Sequence, residues 1–194
     1  FHVGTSRGVG GIAIKVDTTY QFSRNFTAYK TIETGPLRTS FWISYAPWKA
    51  GDKTILEKKF ISLDRGSNLT KFRVEVEGSD TLSVGLTLHE KDGEVATEVE
   101  DGWVSYWEPY FGSELGTGIV VPNNNLLGYD KYVTDAKDLS NLYAQLKVVD
   151  GEAVYYTGFG WKKSKQFSSK EEWNTYLKQF AKKVNSPLQV KLVQ

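Results

Sequence analysis

The sequence predicts a mostly β protein, a large antiparallel β-sandwich with one helix near its carboxyl end. Apolar and polar residues alternate with a period of two along most of the chain, as they do in half-buried strands. Aromatic residues make up 14% of the 194 residues, and aromatic, Val and Thr side chains favour strands. Many strands with one late helix favour a sandwich, with a barrel as the alternative.

The predicted strands follow one another as short alternating runs. These runs are Ile12–Val16, Asn25–Glu33, Leu37–Tyr45, Thr54–Leu63, Leu69–Glu77, Leu82–Glu90, Glu94–Val99, Leu142–Val149 and Glu152–Thr157. In the run Leu82–Glu90 the leucines share one face, and His89 lies on the opposite face among small residues. No internal repeat or interdomain linker interrupts the pattern, so residues 1–194 are predicted to form a single domain.

Two β-hairpins are predicted at Asp-Gly pairs. Asp92-Gly93 separates the runs Leu82–Glu90 and Glu94–Val99, and Asp150-Gly151 separates Leu142–Val149 from Glu152–Thr157. Asp-Gly between alternating strands favours a tight turn in which both central residues have positive φ. We therefore expect each pair of runs to form neighbouring strands.

One helix is predicted near the end of the chain, over Lys170–Val184. Ser169 precedes it and Glu172 follows three residues later, which is the pattern of a capping box. Apolar side chains recur at helical spacing behind this cap, and lysines occupy the last turns, where the helix dipole favours cations. Beyond the helix, the run from Leu188 to Leu192 predicts a final strand, whereas Pro122–Ser140 reads as a long polar loop.

The composition excludes several classes of function. The 24 Lys and Arg residues against 23 Asp and Glu give a net charge of +1, with no basic stripe of the kind that binds nucleic acid. No apolar run is long enough to span a membrane. The absence of cysteine excludes Cys-type zinc sites and iron–sulfur clusters. The two histidines, His2 and His89, are far apart in the sequence, and the glycine-rich stretch after His2 precedes a strand rather than a helix. We predict no metal and no cofactor.

An aromatic cluster surrounds one acidic residue in the segment DGWVSYWEPYFG. Aromatic rings stack on the apolar faces of sugars, so Trp103, Tyr106 and Trp107 are predicted to bind carbohydrate. The alternative is a core strand with its normal share of aromatic residues. Alternation places Trp103 and Trp107 on one face of a strand and Tyr106 with Glu108 on the other. We expect the Glu108 face to reach a groove, because an unpaired buried carboxylate is costly.

Glu108 and His89 are the candidate catalytic residues. A carboxylate walled by rings can act as an acid, and a histidine can act as an acid or base near neutral pH. A glycosidase would need a second carboxylate roughly 5–10 Å away, whereas a polysaccharide lyase would need a base and a cation beside the uronate carboxylate. Arg7 could reach an acidic ligand, and Trp161, in a second aromatic group, could line the groove. The alternative for His89 is a solvent-facing side chain at a strand end.

Several segments in this order resemble a known bacterial family. They include HVGTSRGVGGIAI, ISLDRGSNLTKF, DGWVSYWEPY and YYTGFGWKKSKQFSSKEEWNTYLKQFAKKVNSPLQV. Together they resemble the family of the domain of unknown function DUF4861, common in gut Bacteroidetes. The resemblance runs over essentially the whole chain, and its last segment is the most specific. Members are longer, so the chain resembles their C-terminal portion. The absence of an initiator Met before Phe1 agrees with further upstream sequence.

The resemblance carries expectations about fold and function. It implies a β-supersandwich similar to that of galactose mutarotases and several polysaccharide lyases, with a sugar-binding concave sheet and a periplasmic or extracellular location. It supplies no catalytic residues, and analogy of fold alone is weak support for an activity. We expect a carbohydrate-active protein, a lyase or hydrolase acting on acidic, uronate-containing oligosaccharides. A non-catalytic glycan-binding domain and a structural or interaction domain are the alternatives.

Sheet edges give one more expectation. Uncovered edges tend to associate, so we expect the missing N-terminal segment of the same protein, or another subunit, to cover the edges of this domain.

Overall fold

A computed structural model of the protein describes residues 6–136 and 138–189. It confirms the predicted class, a mostly β sandwich with a helix near the carboxyl end. The elements within the described residues are β1 (Val9–Val16), β2 (Thr19–Gln21), β3 (Phe26–Thr34), β4 (Arg38–Tyr45), β5 (Trp48–Ala50), β6 (Lys53–Asp64), β7 (Leu69–Glu77), β8 (Thr81–Thr87), β9 (Glu94–Glu98), β10 (Trp103–Tyr110), β11 (Ser113–Val120), β12 (Leu126–Tyr132), β13 (Asn141–Lys147), β14 (Glu152–Trp161), a 3₁₀ turn (Lys162–Ser164) and α1 (Lys170–Asn185).

The strands form two antiparallel sheets of unequal size. The smaller sheet has five strands in the order β12-β13-β8-β1-β2. The larger has nine strands in the order β3-β4-β6-β7-β14-β11-β10-β9, with β5 paired on β6. We call the face of the large sheet toward the small sheet its inner face, and the opposite face its outer face.

The main core lies between the two sheets. Alternate residues of the central strands point inward, so that Val74, Tyr155, Ile119 and Tyr106 of the large sheet meet Leu86 and other apolar residues of the small one. The buried Tyr155 hydroxyl donates to the Gly10 carbonyl oxygen over 2.7 Å. This hydrogen bond satisfies a polar group that would otherwise be costly to bury, and it ties the sheets together.

The helix packs on the outer face and forms a second core. The Ser169 hydroxyl accepts from the Glu172 amide at 3.4 Å, and the Glu172 carboxylate accepts from the Ser168 amide at 2.7 Å, so the predicted cap is confirmed. Trp173 and Leu177 are fully buried. They lie where a Cβ at Gly116 or Gly118 of β11 would stand, so those glycines admit the helix. No helix in the described part of the chain could span a membrane.

Both predicted hairpins are wrong as strand pairings. β8 pairs with β1 and β13, whereas β9 pairs with β10 in the other sheet. Likewise β13 belongs to the small sheet and β14 to the large one. The chain therefore crosses between sheets at both Asp-Gly pairs.

The local turn at Asp150-Gly151 is nevertheless of the predicted kind. The φ angles are 52° at Asp150 and 76° at Gly151, and Val149 and Glu152 exchange two backbone hydrogen bonds of 2.9 Å. One bridge is thus made before the strands part. At Asp92-Gly93, by contrast, neither residue has a positive φ, so that predicted turn is wrong. Burial of both flanking strands sets which sheet each strand joins.

Two other predictions concern the segment 122–140 and the strand expected after the helix. The segment 122–140 is not a continuous loop, because it contains β12, an edge strand whose exposed residues are Leu127, Tyr129 and Lys131. Of the predicted final strand, Leu188 lies outside any strand, and residues 190–192 lie outside the described residues.

Candidate functional site

A buried carboxylate–imidazole pair joins the two predicted catalytic residues. β10 presents Glu108 on the inner face, directly opposite Leu115 of β11. β8 ends at Thr87, and just beyond it the Nδ1 atom of His89 lies 2.5 Å from the Glu108 Oε1 atom. The Glu108 side chain is 1% exposed and that of His89 17%. The structure therefore brings together two residues that the sequence could only nominate separately.

The Glu108 carboxylate is the more deeply buried partner of this pair. The second carboxylate oxygen of Glu108, Oε2, is buried without a hydrogen-bond partner among the described residues, so His89 carries most of the compensation for burying the charge. The hydroxyl of Tyr106 accepts from the Gly93 amide at 2.8 Å. Burial, with a smaller contribution from the Glu108 charge, raises the pKa of Tyr106 to about 12. This phenol therefore stays neutral at physiological pH.

An aromatic cleft of about 850 Å³ opens on the inner face of the large sheet. Its rings come from three strands and one turn, and they are Phe72, Tyr110, Phe111, Phe159 and Trp161. Phe111, Phe159 and Trp161 are 72%, 57% and 39% exposed. Such rings offer flat apolar surface in a concave site, which is how binding pockets are commonly lined.

Polar groups lie at one rim of the cleft. The side-chain amides of Asn68 and Gln166 exchange two hydrogen bonds, of 2.9 and 2.8 Å, which fixes the orientation of both. Lys163 donates from Nζ to the Phe111 carbonyl oxygen at 3.2 Å, and its ammonium lies 5.9 Å from the centre of the Trp161 ring. The cleft thus combines stacking surface with amides and one nearby cation.

Phe111 occupies an unusual backbone position. It forms with Gly112 the two-residue turn between β10 and β11, and its φ is 44°. Such turns favour Asn, Asp or Gly at this position, because a bulky side chain at positive φ is strained. An exposed Phe there is a sign of function, since strain tends to persist where a side chain serves a site.

Tyr110 connects the buried pair to the cleft. Its ring lines the cleft, and its centre lies 5.9 Å from that of the His89 ring. Burial, and to a lesser extent the Glu108 charge, raises the pKa of Tyr110. Leu115, opposite Glu108, lines the cleft as well. On its other side, His89 borders a depression of about 460 Å³ with Asp135 and Ser140.

The predicted sugar-binding residues fall into two groups. Trp161 lines the cleft. Trp103 and Trp107, 5% and 7% exposed, are covered by α1 on the outer face, and Tyr106, 0% exposed, lies between the sheets. These three rings offer no open face on which a ligand could stack, so the site described here does not use them.

Arg7, the remaining predicted binding residue, lies beside the cleft. Its neighbour Gly8 lines the cleft. The Arg7 guanidinium donates to the Ser23 carbonyl oxygen at 2.7 Å and lies 4.0 Å from the centre of the Phe22 ring. Desolvation lowers its pKa below the usual value. Arg7 is thus held in place next to, rather than within, the aromatic lining.

Sequence reasoning missed Phe111, Asn68 and Gln166 as site residues, and it placed Phe159 with Trp161 in the second aromatic group without predicting it as a binding residue. A signal existed for Phe111, since a Phe-Gly pair between two alternating runs marks a hairpin tip. No signal existed for the amide pair, which joins residues 98 positions apart. Among the residues that the structure describes, no group of three or more His, Asp or Glu side chains is arranged to hold a metal ion.

Comparison with known proteins identifies relatives of the chain. The family model described as Domain of unknown function (DUF4861) matches residues 1–190. Uncharacterized protein P7 of Formosa agariphila is 56% identical over 193 residues, which are 99% of this chain and 49% of that protein. The chain therefore spans about half the length of this curated relative. No solved structure matches the chain significantly.

Proposed function

The chain belongs to the DUF4861 family, and we propose that it forms part of a carbohydrate-active enzyme acting on acidic, uronate-containing glycan oligosaccharides. The observation that carries this proposal is the position of Tyr110, which lines an aromatic cleft on one side and lies beside the buried His89–Glu108 pair on the other. Stacking surface therefore lines the cleft, and the titratable pair lies directly behind Tyr110, with His89 at the edge of the neighbouring depression.

The cleft suits a short oligosaccharide. Its volume of about 850 Å³ lies within the range of small-molecule sites. Trp161 and Phe159 offer open rings to the apolar faces of pyranoses, while the Asn68–Gln166 amide pair offers hydrogen bonds to hydroxyls. Lys163 contacts Phe111 and Trp161 of this lining and Arg7 precedes Gly8, and either cation could pair with a uronate carboxylate.

The charge distribution favours lyase chemistry over a two-carboxylate hydrolysis. Among the described residues lining the cleft there is no Asp or Glu, whereas a glycosidase needs a pair of carboxylates flanking the bond. In the proposed β-elimination, His89 removes the proton from the carbon next to the uronate carboxylate, which requires its Nε2 atom, buried in this structure, to become accessible from the cleft. The electron pair forms a double bond to the adjacent carbon, whose bond to the glycosidic oxygen breaks. Tyr110, kept protonated by its raised pKa, donates a proton to the departing oxygen.

Two further proposals accompany the function. The unequal antiparallel sheets support a supersandwich similar to that of galactose mutarotases, with the aromatic cleft on the concave sheet. A glycan substrate and the resemblance to a Bacteroidetes family support a periplasmic or extracellular location.

Product analysis tests the proposal. The protein is incubated with a panel of pectic and glycosaminoglycan oligosaccharides, with ultraviolet absorbance reporting unsaturated uronides and reducing-end assays reporting hydrolysis. Glu108→Gln is expected to lower turnover about 100-fold, the scale of one acid–base contribution, and Trp161→Ala to weaken binding. Trp42→Ala, which removes a tryptophan from the outer face, is the matched control. Normal turnover in Glu108→Gln would contradict the catalytic assignment.

A non-catalytic glycan-binding domain is the second candidate, and the absence of carboxylates from the described lining favours it. It predicts retained binding that depends on Trp161 and Phe159, without new unsaturated or reducing ends. A structural or interaction domain predicts neither binding nor turnover with any member of the panel.

A further inference from the structure

We propose that the inner face of the β3–β4 hairpin, formed by Tyr29, Phe41 and Ile43, is a docking surface for the other half of the longer protein found in this family. We call these three residues the β3–β4 inner face. The Formosa agariphila relative is about twice as long as the part that matches this chain. Its remaining half is the occupant to which the proposal commits.

A row of directly opposed residues shows where the small sheet no longer covers the large one. Ala153, Val74, Lys59, Ile43 and Tyr29 face one another across β14, β7, β6, β4 and β3, and directly opposed residues share a face of a sheet. The first three are 3%, 0% and 7% exposed, whereas Tyr29 is 72% exposed. Burial thus falls away along a single inner row toward the edge of the sheet.

The loss of cover follows from the size of the small sheet. Its last strand, β2, has only three residues, and five strands face nine. The contacts of the small sheet with the large one include those of β1 with β14, β11 and β5, all on one side of β4. In β3, every residue is exposed. The large sheet therefore extends past its partner layer.

On the outer face of the same strands, charged side chains lie over the aromatic rings. Trp42 and Phe60 on the outer face are covered by the Lys58 ammonium, 4.7 and 4.8 Å from their ring centres. The Arg73 guanidinium lies 3.9 Å from the Phe60 ring. Charged groups thus shield the outer rings from water. On the inner face the Lys59 ammonium lies 4.8 Å from the centre of the Tyr45 ring, and Tyr29, Phe41 and Ile43 form an apolar set beside it.

This difference between the two faces of β3–β4 is typical of a sheet that is buried on one side. Antiparallel sheets with one solvated face alternate apolar residues inward with polar residues outward. In β4, Phe41 and Ile43 point inward and are half-buried, whereas Tyr29 beyond them in β3 is exposed. Leu63, opposite Thr39 and 43% exposed, extends the same apolar surface toward the cleft. A contiguous apolar surface of this kind marks an interaction site.

The bulges in β3 distinguish face packing from edge pairing. The register shifts between Phe26 and Ala28 and again between Thr31 and Glu33. Bulges on an edge strand obstruct addition of a further strand. The occupant is therefore expected to lie over the face, as an extension of the layer that the small sheet begins, rather than alongside β3.

Photo-crosslinking in the intact Formosa agariphila relative tests this proposal without requiring either half to fold alone. A photoreactive phenylalanine analogue is placed at the position aligned with Tyr29 or, as the matched control, at the position aligned with Lys30, its outward-facing neighbour. The expected result is a crosslink from the Tyr29 position to the unmatched half, several-fold stronger than from the Lys30 position. Fluorescence and circular dichroism confirm that both variants fold.

Three outcomes would overturn the proposal. Equal crosslinking from the two positions, or none from the Tyr29 position, would show that the face is open in the whole protein. A crosslinked dimer of intact chains would assign the face to a second copy. The experiment uses no glycan, so its outcome is independent of the proposed enzymatic function.

Discussion

At the scale of single residues, the contact between His89 and Glu108 links stability to the proposed chemistry. A buried carboxylate is tolerated when its partner supplies a charge or a hydrogen bond, and His89 supplies it over 2.5 Å. We expect His89→Ala to destabilise the fold by about 3 kcal/mol, because removing one partner of a buried pair leaves the other uncompensated. Denaturant unfolding measures this change.

A double-mutant cycle separates the pair from simple loss of packing. In the His89→Ala background, Glu108→Gln should restore about 2 kcal/mol, since a neutral amide is far cheaper to bury than an unpaired charge. Additive effects of the two substitutions would mean that the two side chains do not share a charge-dependent interaction.

Phe111 provides a second residue-scale prediction, in which stability and function move in opposite directions. Phe111→Asn should stabilise the protein by roughly 0.5–1 kcal/mol, because Asn-Gly suits a turn with two positive φ angles better than Phe-Gly. The same change should weaken oligosaccharide binding by removing an exposed ring from the cleft. Thermal unfolding and calorimetric titration measure the two effects.

A destabilised Phe111→Asn variant would contradict this prediction. It would show that the edge contact of Phe111 with Tyr110, with ring centres 4.6 Å apart, matters more than backbone strain.

The same scale shows what alternation can and cannot predict. It placed Trp103 and Trp107 on one face of β10 and Tyr106 with Glu108 on the other, and the structure agrees. Alternation could not reveal that both faces are buried, because the cover comes from α1 on one side and from the small sheet on the other. The rings predicted to bind sugar therefore include Trp103, Tyr106 and Trp107, which lie in the cores. The exposed rings of Phe159 and Phe111 were not among them.

At the scale of elements, the cap of α1 was predicted correctly because it is local. Ser169→Ala should destabilise the protein by about 1 kcal/mol, the usual effect of losing a Ser N-cap. Gln179→Ala, on the exposed side of the same helix, is the control and should change stability little. Equal effects of the two substitutions in chemical denaturation would show that the Ser169 hydroxyl does not stabilise the helix.

The two hairpin pairings predicted from the sequence were wrong for a physical reason. Asp-Gly chemistry determines the conformation of a few residues, and at Asp150-Gly151 it did so. The partner of each strand is chosen by burial of both its faces and by long-range register, which no local pattern contains. In a two-sheet fold, consecutive strands separated by a tight turn can belong to different layers.

At the scale of the whole molecule, several strands of the large sheet are shared by two cores. β10, β11 and β14 each place alternate residues between the sheets and beneath α1, as Tyr106 and Trp107 do in β10. Composition and alternation predicted the class of fold. They did not predict the three layers at its centre, because this arrangement depends on which outer faces the helix covers. A strand shared in this way couples the stability of the two cores.

We therefore expect both cores to unfold in one transition. Three of the six tryptophans, Trp103, Trp107 and Trp173, lie in the core beneath the helix, so part of the tryptophan fluorescence change reports that layer, whereas far-ultraviolet circular dichroism reports mainly the sheets. Because removing the helix would expose the outer residues of the strands that also build the inter-sheet core, the two signals should share one midpoint in heat and in urea. A fluorescence midpoint well below the dichroism midpoint would show that α1 detaches while the sandwich persists, and that the shared strands do not transmit stability between the layers.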